Sequence, residues 1–283
     1  MCDGVAEPCV ATLRIDMSDP HHPVFDALRQ GRSDGPVVVA HRGDSSRFPE
    51  NTLPAFRAAC ELGVAMQEFD VRATRDGVLL CIHDETFDRT SDAARTLGPG
   101  ALVAQATHAE ASRLDAGAWR DAAHAGQRIP TLAEVLAVLL PGCIPLIEHK
   151  AGSADRYVDV LRRHDALRRC ILQSFDWDLV AAAGKLAPSL ALAVLGPTER
   201  FSEPDAAAIA AALQLGAGMI HWHDSALRSA HVERIHAAGL LLCTYTTDSE
   251  IGWRGGAALG IDAMCTNDPG GMLALRRSGK LRR

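Results

Sequence analysis

From Pro36 onward short apolar runs alternate with amphipathic segments, and this alternation constrains the chain more than any other feature. It is the signature of repeated βα units, which build a parallel sheet covered by helices. The spacing predicts strands near residues 36–41, 66–71, 78–82, 144–148, 170–173, 190–195, 218–222 and 240–245. Helices are predicted over Leu53 to Leu62, Leu132 to Leu140, Ala154 to Arg163, Trp177 to Leu186, Asp205 to Leu215 and Ser229 to Ala238, most followed by a capping glycine. With 283 residues, 47% hydrophobic and 23% charged, the chain is long enough for one large α/β barrel, and no linker divides it. The second and third runs are joined only by Arg72 to Gly77, too short for a parallel crossover, so the third strand is expected to run antiparallel or sit at the rim.

Residues 1–34 show no sustained period and are expected to form a poorly structured lead-in to a barrel over 35–283. Between His83 and Thr131 a long segment rich in Ala, Gly, Asp and Arg is expected to overhang the barrel mouth. The N-terminus has no basic region leading into an apolar core, and no apolar run is long enough to span a bilayer. Eight scattered cysteines, none in a C-x-x-C pair, read as reduced thiols of a cytoplasmic protein. A net charge of −6 argues against a nucleic-acid partner and leaves a small-molecule substrate, with any anionic group held by local cations.

The stretch from Val37 to Asp84 carries the chemistry, because its apolar runs each end in polar residues. His41-Arg42-Gly43, Glu68-Phe69-Asp70 and His83-Asp84 lie where a parallel barrel collects catalytic side chains, at strand exits. Glu68 and Asp70, two apart on one strand, would share the lumenal face. Two such carboxylates repel, and a bound divalent cation is the usual way for both to stay ionised. The fourth strand adds Glu148 and Lys150, again two apart. Three carboxylates suit a hard ion such as Mg²⁺ or Ca²⁺, and Arg42 and Lys150 beside it would grip an anion. Internal ion pairing of the carboxylates with Arg42 and Lys150 is the structural alternative, costly in desolvation. Metal, cations and two histidines together suggest phosphate-ester chemistry.

The ordered set His41-Arg42-Gly43, Pro49-Glu50-Asn51-Thr52, Glu68-Phe69-Asp70-Val71, His83-Asp84, Arg89-Thr90, Leu114-Asp115-Ala116-Gly117-Ala118-Trp119, Ile129-Pro130-Thr131-Leu132 and Glu148-His149-Lys150 resembles the glycerophosphodiester phosphodiesterase family. The resemblance implies a TIM-type (β/α)8 barrel with a small insertion after the third strand, at about residues 85–130. It implies metal-dependent hydrolysis of glycerophosphodiesters to glycerol 3-phosphate and an alcohol, with Mg²⁺, Ca²⁺ or Mn²⁺ as the ion. By resemblance Glu68, Asp70 and Glu148 are metal ligands, His41 and His83 are the base and acid, Arg42 and Lys150 contact phosphate, and Glu50 lies near metal and substrate. The chain departs from the family at Tyr245-Thr246-Thr247-Asp248, where Trp-Thr-Val-Asn is usual, and in the loop Ser91 to Thr96. Both departures bear on the alcohol, and so on specificity rather than on the reaction, leaving open another diester such as a lysophospholipid or sugar phosphodiester; a non-catalytic phosphometabolite-binding barrel is the alternative of another class.

Overall fold

The run Val37-Val38-Val39-Ala40 is apolar at every position because both faces of its strand are buried, one towards the lumen and one towards the helices. In the computed structural model, which describes residues 22–282, nine such strands form a single sheet. They are β1 (Val37–His41), β2 (Met66–Ala73), β3 (Leu79–Cys81), β4 (Ile144–His149), β5 (Ile171–Ser174), β6 (Ala191–Gly196), β7 (Met219–His223), β8 (Leu241–Tyr245) and β9 (Ala263–Thr266). All except β3 are parallel, and β1 pairs with both β2 and β9, which closes the barrel. The TIM-type barrel implied by the family resemblance is therefore present.

Eight strands were expected and eight close the barrel, but the membership differs by one. The run at 78–82 forms β3, which lies antiparallel on the upper end of β2 with Val71 opposite Cys81, as its short connection required. The place of the eighth barrel strand is taken by β9, where no strand was expected. The helix before β9, Glu250–Leu259, was missed as well; its Gly252, Gly255 and Gly256 argue against a helix on intrinsic propensity. Packing explains two of these glycines: a Cβ at Gly256 would stand 2.5 Å from the Met264 methyl, and one at Gly252 would stand 2.4 Å from Thr247 Cγ2. The last helix, Pro269–Arg277, opens Pro-Gly-Gly, which reads as a turn in sequence.

The expectation of an unstructured lead-in fails for residues 23–34. Pro23–Gly31 is a helix followed by a 3-10 turn, and Val24, Phe25, Ala27 and Leu28 are buried in it. Those side chains join Val37, Met66, Ile144, Ile171, Ala191, Met219, Leu241 and Ala263 in one cluster, so the helix closes the barrel at its N-terminal end. Ala191, Ala193, Ala263 and Gly218 leave room in the lower lumen, and the Phe25 ring comes against Gly218 there. Residues 1–21 lie outside the described residues. The segment after β3 is a small lobe with its own core of Phe87, Val103, Leu114 and Ile129 packed under Leu80 and Ile82. The carboxylate of Asp115 accepts from the backbone N–H groups of Gly117, Ala118 and Gly126, which fixes the far side of that lobe. No helix among the described residues is long and apolar enough to cross a membrane.

Candidate active site

The C-terminal ends of β1, β2 and β4 bring the predicted site residues together. On β2 the pleat turns Glu68 and Asp70 inward, while Phe69 packs outward against Phe56 at 5.5 Å between ring centroids. Parallel register sets Glu148 of β4 beside Asp70. One ligand oxygen from each of Glu68, Asp70 and Glu148 can be chosen so that all three lie within 4.8 Å of one another, and all three residues are buried. Both carboxylate oxygens of Glu68 and Oδ1 of Asp70 are buried without a hydrogen-bond partner. Buried acceptors of this kind carry a heavy desolvation cost unless something positive meets them. Convergent oxygen donors of this type fit a hard divalent cation.

Two fixed cations flank the triad. Lys150 Nζ stands 2.5 Å from Glu148 Oε1 and 3.4 Å from Asp70 Oδ1. Arg42 follows β1 in a left-handed turn with φ 58°, a conformation unfavourable for a side chain bearing a Cβ. The turn is tied down because Arg42 N donates to the Glu68 carbonyl at 2.8 Å and Asn51 N donates to the Arg42 carbonyl at 3.1 Å. Gly43 completes it, since a Cβ there would stand 2.6 Å from the Ala55 backbone. The guanidinium then reaches back, with Nη1 donating to Glu50 Oε1 at 2.7 Å and Nε lying 3.0 Å from Asp70 Oδ2. That second contact is an ion pair out of line for a hydrogen bond; Asp70 Oδ2 instead accepts from Asn51 Nδ2 at 2.9 Å.

Electrostatics divides the carboxylates. Burial, then the neighbouring charges of Asp70 and Glu148, pushes Glu68 well above the usual carboxylate range. Burial and Asp70 push Glu148 up to about 7 against the pull of Lys150. Burial acts on Asp70 in the same sense, but Arg42 and Lys150 outweigh it and bring Asp70 down to about 2. A divalent cation among the three would offset the repulsion that raises Glu68 and Glu148 and let all of them stay ionised.

His41, at the end of β1, has Nδ1 2.7 Å from Asn267 Oδ1 and Nε2 3.8 Å from Glu68 Oε2. Burial and the adjacent Arg42 lower its basicity. His83 leaves β3 with Nδ1 2.6 Å from Asp84 Oδ1, and its basicity is lowered mainly by burial, against the pull of Asp70 and Asp84. Arg89 grips Asp84 through Nε at 2.6 Å and Glu50 through Nη1 and Nη2 at 2.8 and 2.9 Å. A continuous chain of charge thus runs His83–Asp84–Arg89–Glu50–Arg42–Asp70. Glu50 does reach the edge of the site, but both its oxygens are taken up by arginines.

The sequence motifs assign no role to Asn51, Asp84, Arg89 or Asn267, and set Asp248 near the alcohol, whereas its carboxylate is engaged by Asn267. The first three sit inside the quoted motifs, where their neighbours are the signal. Asn267 follows β9 and meets His41 across 226 positions of chain, a contact that no local pattern reveals. His221 of β7 belongs to the lumen wall: it is buried with Nδ1 2.8 Å from Gln173 Oε1, and burial brings its pKa down to about 3. Tyr245 packs edge-on to His221 and to Phe175, and its hydroxyl donates to the Gly196 carbonyl at 2.8 Å.

Residues 41–271 match the sequence model of the glycerophosphoryl diester phosphodiesterase family. A glycerophosphodiester phosphodiesterase of Caldanaerobacter subterraneus subsp. tengcongensis is 33% identical over 253 residues, spanning 86% of this chain and 98% of that protein. Among solved structures, a phosphodiesterase of Oleispira antarctica in complex with the product sn-glycerol-3-phosphate superposes with a TM-score of 0.77 at 28% identity, covering 85% of this chain and 96% of that one. The glycerophosphodiester phosphodiesterase of Agrobacterium tumefaciens superposes with a TM-score of 0.73 at 26% identity, covering 84% and 99%. Matched in sequence from the first site histidine to beyond β9, and in fold across nearly the whole of these relatives, the chain belongs to the glycerophosphoryl diester phosphodiesterase family.

Proposed function

We propose that this protein hydrolyses glycerophosphodiesters to sn-glycerol 3-phosphate and an alcohol, using a divalent ion, Mg²⁺, Ca²⁺ or Mn²⁺, held by Glu68, Asp70 and Glu148. The observation that carries the reading is the convergence of three buried carboxylates, with oxygens left unpartnered, between two histidines and two cations. Family membership and the product found with the Oleispira relative support the substrate class. When bound, the ion would neutralise charge on the phosphoryl oxygens and act as a Lewis acid.

The remaining work falls to the chain's own residues. Arg42 presents its fork and Lys150 a point charge to the phosphate, so that the diester is fixed before reaction. Glu50 holds Arg42 and Arg89 in place rather than touching substrate. His41 removes the proton of the attacking oxygen at Nε2, and His83 supplies a proton to the departing alkoxide, each worth about 10²–10⁴-fold in rate. Asp84 accepts from His83 Nδ1 and so directs Nε2 at the leaving group.

The test is a coupled assay of glycerol 3-phosphate release across a panel of glycerophosphodiesters, lysophospholipids and sugar phosphodiesters, using parent protein supplied in turn with each ion. Release from glycerophosphodiesters is expected. Turnover confined to another diester would move the substrate class; ion and phosphate binding with no turnover anywhere would make the barrel a binding module.

A further inference from the structure

Beyond the groups that would touch substrate, His41 is held by a chain of hydrogen bonds to the last strand of the barrel. Asn267 Oδ1 faces His41 Nδ1 at 2.7 Å, and the hydroxyl of Ser45 lies 3.0 Å from the same oxygen. The other end of that amide, Nδ2, donates to Asp248 Oδ2 at 2.6 Å. Asp248 is held in turn, because its Oδ1 accepts from Asn267 N at 2.7 Å and from Thr266 Oγ1 at 3.0 Å. A carboxylate can only accept, so the amide nitrogen must face Asp248 and the amide oxygen must face His41. The Asn267 oxygen is likewise an acceptor only, so the proton sits on His41 Nδ1 and the lone pair on Nε2, the nitrogen nearer Glu68.

We propose that Asp248, acting through Asn267, is a positioning residue that fixes the tautomer and ring orientation of His41. The inference rests on His41 being the base of the proposed reaction. Replacing Asp248 by Asn puts an amide nitrogen where only acceptors now stand, opposite the two N–H groups of Asn267 and the Thr266 hydroxyl. Asn267 then loses its reason to keep its oxygen towards His41. Turned over, it would donate to Nδ1, move the imidazole proton to Nε2 and remove the lone pair needed for proton abstraction. Exchanging the two side chains restores every pairing: a carboxylate at position 267 accepts from His41 Nδ1–H and from the new amide at 248, whose oxygen serves Thr266 and the backbone.

The experiment compares Asp248→Asn with the exchange Asp248→Asn/Asn267→Asp. In Asp248→Asn, kcat for an alkyl glycerophosphodiester is expected to fall about tenfold to a hundredfold, the usual size for a group that orients a functional histidine, with KM little changed. The exchange is expected to recover most of the loss, which a merely structural effect would not do. In parallel, ¹⁵N NMR at one fixed pH should find His41 pyrrole-type at Nδ1 in the parent and not in Asp248→Asn, with His41→Gln assigning the signal. Unchanged kcat in Asp248→Asn, or an exchange variant worse than Asp248→Asn, would overturn the proposal. Parent protein without turnover would instead refute the functional reading, and the NMR arm would then decide on the relay: an Nδ1–H retained in Asp248→Asn refutes it, and its loss upholds it.

Discussion

Replacing Phe25 by alanine tests whether the N-terminal helix is a structural stopper or an appendage. Phe25 is 6% exposed, and its ring lies against Gly218, where a Cβ would stand 2.3 Å from Cε2. It fills the lower lumen beside Met219, Ala191 and Ala193, residues too fixed by the barrel to collapse into the hole. Truncating a buried Phe in such a place costs about 3–5 kcal/mol, transfer and cavity terms together. That is a large part of the roughly 5–15 kcal/mol that holds a domain folded. For a chain of this size each kcal/mol moves Tm by about 2–4 °C, so a fall of roughly 6–20 °C is expected. Urea unfolding followed by tryptophan fluorescence, with Trp222 buried in the barrel wall, gives the free energy directly. Turnover at temperatures well below the midpoint should be unchanged, because the lower face of such barrels serves stability and the upper face chemistry. A loss below about 1 kcal/mol, less than a cavity of this kind costs, would refute the stopper.

Two further outcomes follow from the site and from the lower face. With a good leaving group such as p-nitrophenolate, His83→Ala should lose far less activity than with an alkyl diester, whereas His41→Ala should lose heavily on both; rescue of His41→Ala by the aryl diester would reverse the roles. Asp262 is buried, accepts from Leu242 N and from His236 Nε2, each at 2.8 Å, and pairs with Arg32 at the end of the N-terminal segment. Burial alone would raise its pKa, but His236, the Leu242 N–H and Arg32 outweigh it and hold the carboxyl below the ordinary aspartate range. A depressed folded pKa contributes stability that is complete above the unfolded value, about 3.9, and is lost as pH falls through the folded one. Denaturation midpoints of Asp262→Asn and parent should therefore differ most at neutral pH and converge in acid; a gap that widens in acid would contradict the assignment.

The barrel and the convergence of Glu68, Asp70 and Glu148 were legible because their signals are local. Runs such as Val37 to Ala40 and Pro145 to Ile147 are buried on both faces, and the period of two in Glu68-Phe69-Asp70 states which side chains share the lumen. The third apolar run stood out because six residues cannot carry a parallel crossover, and β3 is indeed antiparallel. What escaped was set by packing between distant segments. Pro23 to Gly31 carries an apolar face only nine residues long, and what it covers, the lower lumen, exists only once the barrel has closed. The helix Glu250–Leu259 contradicts its own glycines until Met264 and Thr247 are packed against them. Arg89, itself paired with Asp84, reaches Glu50 across 39 positions, so the Glu50 oxygens that the motif sets near metal and substrate are engaged by arginines.

The proposed role of Glu68, Asp70 and Glu148 as holders of one divalent ion on which hydrolysis depends can be tested directly. Protein stripped with chelator and checked to be metal-free is titrated with Mg²⁺, Ca²⁺ or Mn²⁺ in a calorimeter while glycerol 3-phosphate release is followed on matched samples. A single ion per chain is expected, with activity that rises in step with occupancy and loss of both in Glu68→Gln and Glu148→Gln. Full turnover of the metal-free parent in excess EDTA would contradict it.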